Sequence, residues 1–160
     1  MRKEQLLHQI ITTLSADLVI LTDAAKAAHA AATDEECLPD NKYDTTGLEA
    51  SYIAQGQANR AQEIRHALAR YRALALRHFD EETPIRLTAL VTLEESNGSR
   101  RRVFLGPDAG GLKLVDGDAE CIVITPESPL GRSLLGKLCG DELQVGSGAP
   151  RKTVTIAAVE

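Results

Sequence analysis

The densest group of chemically active side chains in this sequence is a set of carboxylates within residues 34–44. Against the single Lys42 in that segment stand five acidic residues: Asp34, Glu35, Glu36, Asp40 and Asp44. Such a concentration of carboxylates in one short segment can serve a chemical function. Acidic residues before a helix are also favoured by the helix dipole, so a solvated connection explains the same composition. The residues alone leave both interpretations open.

The two segments that flank the carboxylates are predicted to be helices. Apolar or small residues recur in the first at alternating spacings of four and three: Leu7, Ile11, Leu14, Leu18, Leu21, Ala25, Ala28 and Ala32. The second repeats the spacing: Ala50, Ala54, Gln57, Ala61, Ile64, Leu68, Tyr71 and Ala75. Such seams are typical of coiled coils. Both place their small residues next to the acidic segment, so we predict an antiparallel helical hairpin over 1–77, with close helix contact near an acidic tip.

After a linker at 78–84, the hydrophobic pattern changes to a period of two, which predicts strands. The predicted strands span 85–93, 101–105, 112–115, 120–125, 142–145 and 153–159, with a hairpin turn at 96–99. One short helix should follow Ser128, with Pro129 in its first turn. We therefore predict an α+β protein whose second domain, 85–160, is an antiparallel sheet with one short helix. The basic run 100–102 is interpreted as charge that protects an edge strand from aggregation.

Composition excludes several classes of function. A sequence pI near 5.4 argues against a broad basic surface for nucleic acid. The three cysteines form no CxxC pair and the four histidines are scattered, so neither a disulfide framework nor a zinc site is predicted. No apolar run is long enough for a membrane span or an export signal. We therefore expect a soluble protein of the reducing cytoplasm.

One segment near the C-terminus resembles a known family. Residues 127–142 read E-S-P-L-G-R-S-L-L-G-K-L-C-G-D-E. They resemble the S-P-[IL]-[AG]-R-x-L-[IL]-G-K-x-x-G-D signature of the bacterial transcription elongation factors GreA and GreB. Residues 38–43, L-P-D-N-K-Y, are more loosely similar to the family's D-L-K-E-N-A-E-Y tip. Together with the order of the predicted elements, the resemblance covers essentially the whole chain, and it implies an FKBP-like fold for the sheet domain.

The resemblance implies a partner and a mechanism. Factors of this family insert the hairpin into the secondary channel of RNA polymerase, where tip carboxylates help to hold a shared Mg²⁺ and promote cleavage at the 3′ end of backtracked RNA. The catalytic centre is the polymerase's own, so we expect an accessory factor, not an enzyme, that acts as a monomer and has no cofactor of its own.

The resemblance also implies individual residues. Asp40 occupies the place of the tip glutamate, whereas the family's preceding aspartate falls on Cys37, and a thiol is a poor Mg²⁺ ligand. Glu36 or Glu35 can substitute if the loop is shifted by one residue. The family contacts the polymerase rim helices with the loop that corresponds to Ser128, Pro129, Leu130 and Arg132. Gly131 and Gly136 are expected to serve backbone geometry, and Leu134 and Leu135 to lie in the core.

Other functions remain as alternatives. A Gre-like regulator that occupies the channel and modulates or inhibits transcription without cleavage is favoured by Cys37. An FKBP-like prolyl isomerase or chaperone needs aromatic walls around a proline ring, and Phe104 is the single aromatic residue in 85–160. A coiled-coil scaffold would leave the acidic tip without a use.

Overall fold

The computed structural model describes residues 2–33 and 46–160 of the chain. The two seams form long helices, α1 (Lys3–Thr33) and α2 (Thr46–Arg72), which pair as the predicted N-terminal hairpin. No helix in the described ranges is both long and apolar enough to cross a membrane. The described residues divide into two compact units, Ile11–Ala69 and Met1–Ile10 with Arg70–Glu160. The predicted boundaries at 77 and 85 stay a prediction.

In the helical unit, Ile11–Ala69, burial follows the predicted seams. Leu14 of α1 and Ala61, Ile64 and Leu68 of α2 are buried. An open cleft of about 500 Å³ lies along α1 and α2 where both helices carry small residues. Its walls include Ala25 together with alanines of α2. The predicted closer approach of the two helices near the tip stays a prediction.

The sheet unit contains six strands and one short helix. The strands are β1 (Leu90–Glu95), β2 (Arg100–Leu105), β3 (Lys113–Asp116), β4 (Ala119–Ile124), β5 (Glu142–Val145) and β6 (Lys152–Val159), and the helix is α3 (Pro129–Leu134). They form one sheet in the order β3-β4-β2-β1-β6-β5. The predicted α+β class is confirmed, as are the β1–β2 hairpin turn and the positions of all strands but the first.

One pair of strands departs from the predicted antiparallel sheet. β2 and β4 run parallel, with Val103 opposite Ile122. After β2 the chain passes to the outer edge, forms β3 there, and returns through β4 into the space between β3 and β2. Because β4 reverses the direction of β3, it runs parallel to β2. The sheet is therefore mixed.

The first strand begins five residues later than predicted because the backbone turns at Thr88. This residue has a φ of 76°, a left-handed conformation that is unusual for a β-branched side chain. Its amide donates to the Leu105 carbonyl, and its hydroxyl accepts a hydrogen bond from the Arg77 amide. The alternation that starts at Ile85 is interrupted there, and regular pairing begins at Leu90.

The two faces of the sheet are both buried in part. On one face, Val91, Leu93, Val103, Leu105 and Ile156 belong to a core cluster that includes Leu134 of α3. Residues of opposite parity, such as Leu90 and Phe104, are also buried. On that side the Tyr71 hydroxyl lies against Gly106 and donates a 2.6 Å hydrogen bond to the Asp108 carbonyl. Side chains thus pack against both faces of the sheet, and α3 covers the face that carries Val91 and Val103.

Candidate functional site

The segment that carries the sequence signature, 127–142, forms a turn, α3 and the start of β5. Ser128 caps α3 from an extended conformation, and its Oγ accepts a hydrogen bond from the Gly131 amide at 3.1 Å. The same hydroxyl donates to the Thr125 carbonyl at 2.7 Å. Pro129 follows in the first turn, where its missing amide hydrogen costs nothing. The predicted helix start is confirmed, and the cap fixes the first turn against the end of β4.

Gly131 and Gly136 are required by backbone geometry, as predicted. A Cβ atom on Gly131 would lie 1.9 Å from the Thr125 carbonyl oxygen, far inside van der Waals contact. Gly136 has a φ of 78°, and its amide donates to the Ile85 carbonyl at 2.9 Å. Gly131 allows α3 to pack closely against the end of β4, and Gly136 allows the chain to turn sharply after the helix.

One of the leucines for which the segment carried a prediction differs from it. Leu134 is completely buried in the core, as expected. Leu135 is 39% exposed, so the prediction that it lies in the core is wrong. The helix ends at Leu134, and Leu135 follows with a non-helical backbone, φ −54° and ψ 128°. Leu130, predicted as a partner contact, is partly buried and packs against the core cluster.

The four predicted partner-binding residues lie together at the first turn of α3. Pro129 and Arg132 are exposed, whereas Ser128 and Leu130 are half-buried. The Arg132 Nε donates to the Glu127 carbonyl at 2.8 Å, which holds the guanidinium beside the cap. The first turn of α3 thus presents the pyrrolidine ring of Pro129, the guanidinium group of Arg132 and part of the Leu130 side chain at the surface. Whether it binds a partner stays a prediction.

The predicted tip residues, Glu35, Glu36, Cys37 and Asp40, lie outside the described residues. Their assignment to Mg²⁺ and to RNA cleavage stays a prediction. Elsewhere, in 2–33 and 46–160, no cluster of histidine, cysteine or acidic side chains is arranged to hold a metal ion.

A second feature near α3 was missed at the sequence level. The basic run 100–102 was interpreted as edge-strand charge, but β2 lies inside the sheet between β4 and β1, so that interpretation is wrong. Arg101 is half-buried and lines a pocket beside α3. Its position has the same parity as Val103 and Leu105, which face the core cluster. That parity is the signal that points to an inward-facing arginine.

Comparisons with known proteins give structural neighbours only. No protein-family model matches the sequence, and a search of curated proteins found no match. The solved structure of GreA factor homolog 1 from Thermus thermophilus is 24% identical, with a TM-score of 0.39, over 98% of this chain and 93% of that chain. The solved structure of Gfh1 from Thermus aquaticus is 23% identical, with a TM-score of 0.39, over 95% of this chain and 92% of that chain.

A third neighbour is described as a prokaryotic transcription elongation factor GreA/GreB from Nitrosomonas europaea. It is 22% identical, with a TM-score of 0.37, over 62% of this chain and 78% of that chain. This chain is similar to Gre-type factors. In it, the Gre-like signature at 127–142 forms the capped helix and the glycine contacts described above.

Proposed function

We propose that this protein binds RNA polymerase through the first turn of α3, brings residues 34–44 into the secondary channel and stimulates the polymerase's own cleavage of backtracked RNA. The observation that carries the proposal is that some residues of the signature segment are buried and anchor α3, while others are exposed at its first turn. Gly131 and Leu134 fix α3 to the sheet, while Pro129 and Arg132 remain exposed. Residues that the core does not need are thus held rigidly at the surface, as a docking site requires.

The chemistry assigned to the tip follows from its donor set. Asp40 and Glu36 offer carboxylate oxygens, which suit Mg²⁺, whereas the Cys37 thiol does not. When bound, a second Mg²⁺ in the polymerase active centre stabilises the attacking and leaving oxygens of phosphoryl transfer. In this proposal Asp40 and Glu36 help to hold that ion, and all other catalytic groups belong to the polymerase. The protein is therefore an accessory factor.

The proposal is tested with purified RNA polymerase in stalled, backtracked elongation complexes. The wild-type protein should shorten the RNA from its 3′ end, and Asp40→Ala should reduce the cleavage rate by about tenfold or more, with a smaller loss for Glu36→Ala. Asp34→Ala removes a charge from the same segment and serves as the matched control, with cleavage near the wild-type rate. Full cleavage by Asp40→Ala would contradict the assignment of the tip.

A second candidate function is that of a regulator that binds RNA polymerase but does not stimulate RNA cleavage. Cys37 stands where the family has a carboxylate, which favours a regulator that occupies the channel without promoting cleavage. Such a protein should compete with a cleaving Gre factor for polymerase and leave the RNA intact. Cys37→Asp would then restore a carboxylate and should raise cleavage by about tenfold. Cys37→Asn, which introduces a side chain of the same shape as aspartate without its charge, should not. Equal rates for both variants would show that position 37 does not limit cleavage.

A further inference from the structure

A pocket of about 530 Å³ lies between α3 and the connection from β5 to β6. Its walls include apolar groups, hydroxyls and two guanidinium groups: Leu130, Val145, Ser133, Ser147, Arg101 and Arg151. No carboxylate is among the residues that line it. The residues that line the pocket therefore carry a net positive charge beside apolar surface.

The charges of this pocket differ from those around it. Nearby basic side chains have acidic partners: Arg100 pairs with Glu94, Arg102 with Glu160 and Lys152 with Glu95. Arg101 and Arg151 form no ion pair with any residue in the described part of the chain. The pocket is thus a local exception on a protein whose net charge is −5.

Arg101 is also incompletely hydrogen-bonded. Its Nε is buried and is the one buried side-chain nitrogen or oxygen in the described residues that lacks a hydrogen-bond partner. Leaving such a group unpaired is costly, and in native proteins it points to a function or to a missing ligand. A guanidinium group presents its N–H groups in a fixed fork that matches a carboxylate. An acidic group in the pocket would compensate the charge of the Arg101 guanidinium that lines it.

We propose that the pocket binds an acidic side chain, flanked by apolar residues, from a protein partner of this chain. Arg101 and Arg151 take the carboxylate, Ser133 and Ser147 supply further hydrogen bonds, and Leu130 and Val145 receive the apolar neighbour. Nucleic acid fits less well, because the pocket has no aromatic side chain for base stacking and the protein is acidic overall. That the partner is RNA polymerase rests on the function proposed above, because Leu130 belongs to both surfaces.

The pocket can be tested without the polymerase. Amide chemical shifts of the full-length protein are followed during titration with the capped peptide acetyl-Leu-Glu-Leu-amide and, as matched control, acetyl-Leu-Gln-Leu-amide. The glutamate peptide should shift Ser133, Gly146 and Ser147 in a saturable way, at least fivefold more tightly than the glutamine peptide, and Arg101→Met should abolish the shifts. Equal binding of both peptides would overturn the proposal. Tighter binding of inorganic phosphate or of a short single-stranded RNA would overturn it in favour of a phosphate site.

Polymerase binding gives the second test. Arg101→Met and Arg151→Gln should each weaken the affinity by about tenfold, because a charge-assisted hydrogen bond is lost. Arg101→Lys, which keeps the charge without the fork, should fall between them and the wild type. The control Lys152→Gln removes a neighbouring charge outside the pocket and should bind normally. Unchanged affinity of both arginine variants would overturn the pocket's role, whereas failure of every version to bind polymerase would overturn the proposed function and leave the peptide result to decide on the pocket.

A merely structural role for Arg101 predicts a different result. If the arginine served the fold, Arg101→Met would lower the midpoint of thermal unfolding. Because the buried Nε lacks a partner, we expect the apolar variant to unfold at the same temperature or higher while it loses peptide binding. A lower midpoint together with normal peptide binding would overturn the proposal.

Discussion

At the scale of single residues, Gly131 links the signature most directly to the packing of α3. A side chain at this position would collide with the Thr125 carbonyl, so the helix would have to move away from the end of β4. We predict that Gly131→Ala lowers the free energy of unfolding by at least about 2 kcal/mol, as overpacking in a core does. Urea unfolding followed by circular dichroism measures the change.

Gly56 provides the matched control for that substitution. It lies inside α2, and a Cβ atom there meets nothing within 4 Å. Because alanine favours the helix over glycine, Gly56→Ala should raise the free energy of unfolding by about 0.5–1 kcal/mol. Similar losses in both variants would show that the close contact at Thr125 is not the cause.

Tyr71 gives the protein a pH dependence in the alkaline range. Burial, together with the negative charge of Asp108, raises the pKa of the Tyr71 phenol above its ordinary value of 10.0. The folded state therefore retains the phenolic proton at a pH at which the unfolded chain loses it. This contribution to stability is complete below about pH 10 and decreases as the pH rises above it, by about 1.4 kcal/mol for each pH unit until the folded-state pKa is reached.

The Tyr71→Phe variant tests that linkage. It should lose about 1 kcal/mol at pH 8, since the hydrogen bond to the Asp108 carbonyl is removed, and its stability should fall less steeply between pH 10 and 11 than that of the wild type. Chemical unfolding at a series of pH values measures both effects. Tyr52 is 69% exposed, so Tyr52→Phe should change neither quantity. A wild-type slope in Tyr71→Phe would rule out Tyr71 as the titrating group.

At the scale of secondary-structure elements, the sequence predicts those features that depend on interactions between residues close together in the chain. The Ser128 cap and the glycine at 131 follow from side-chain preferences that act within one turn. Leu135 escaped prediction because two adjacent leucines do not reveal on which of them the helix ends. The basic run that contains Arg101 was assigned to an edge because the interior position of β2 depends on β4 pairing beside it, and the two strands are far apart in sequence. The tip residues of the candidate site lie outside the described structure, so their part of the prediction is neither confirmed nor wrong.

The cleft between α1 and α2 leads to a prediction about the helical unit. Ala54 lines the cleft, which has room for a larger apolar side chain. Ala54→Leu should therefore raise the free energy of unfolding by about 1 kcal/mol through newly buried apolar surface. Ala69→Leu makes the same exchange at an exposed position of α2 and should have little effect. Thermal unfolding distinguishes the two, and equal midpoints would indicate that the cleft does not retain the new side chain.

At the scale of the whole molecule, the proposed function divides docking and chemistry between different parts of the chain. Arg132 and Pro129 belong to the sheet unit, whereas Asp40 comes between α1 and α2 in the sequence. Arg132 is exposed, and within the part of the chain that the structure describes its side chain donates a hydrogen bond only to the Glu127 carbonyl, so Arg132→Ala should leave the fold intact. Loss of a docking contact then changes how much factor is needed, not what the bound factor does.

RNA cleavage rates measured over a range of factor concentrations test this division. Arg132→Ala should require about tenfold more protein for half-maximal cleavage and should reach the wild-type rate at saturation, because only binding is weakened. Asp40→Ala should reach half-maximal cleavage at the wild-type concentration, but its maximal rate should be at least about tenfold lower, because binding is intact and the carboxylate is gone. Arg86→Ala removes an exposed arginine elsewhere in the sheet unit and should match the wild type in both respects. A reduced maximal rate for Arg132→Ala would mean that α3 affects the chemistry as well as the docking, because a residue that acts through affinity alone has no effect once every polymerase is occupied.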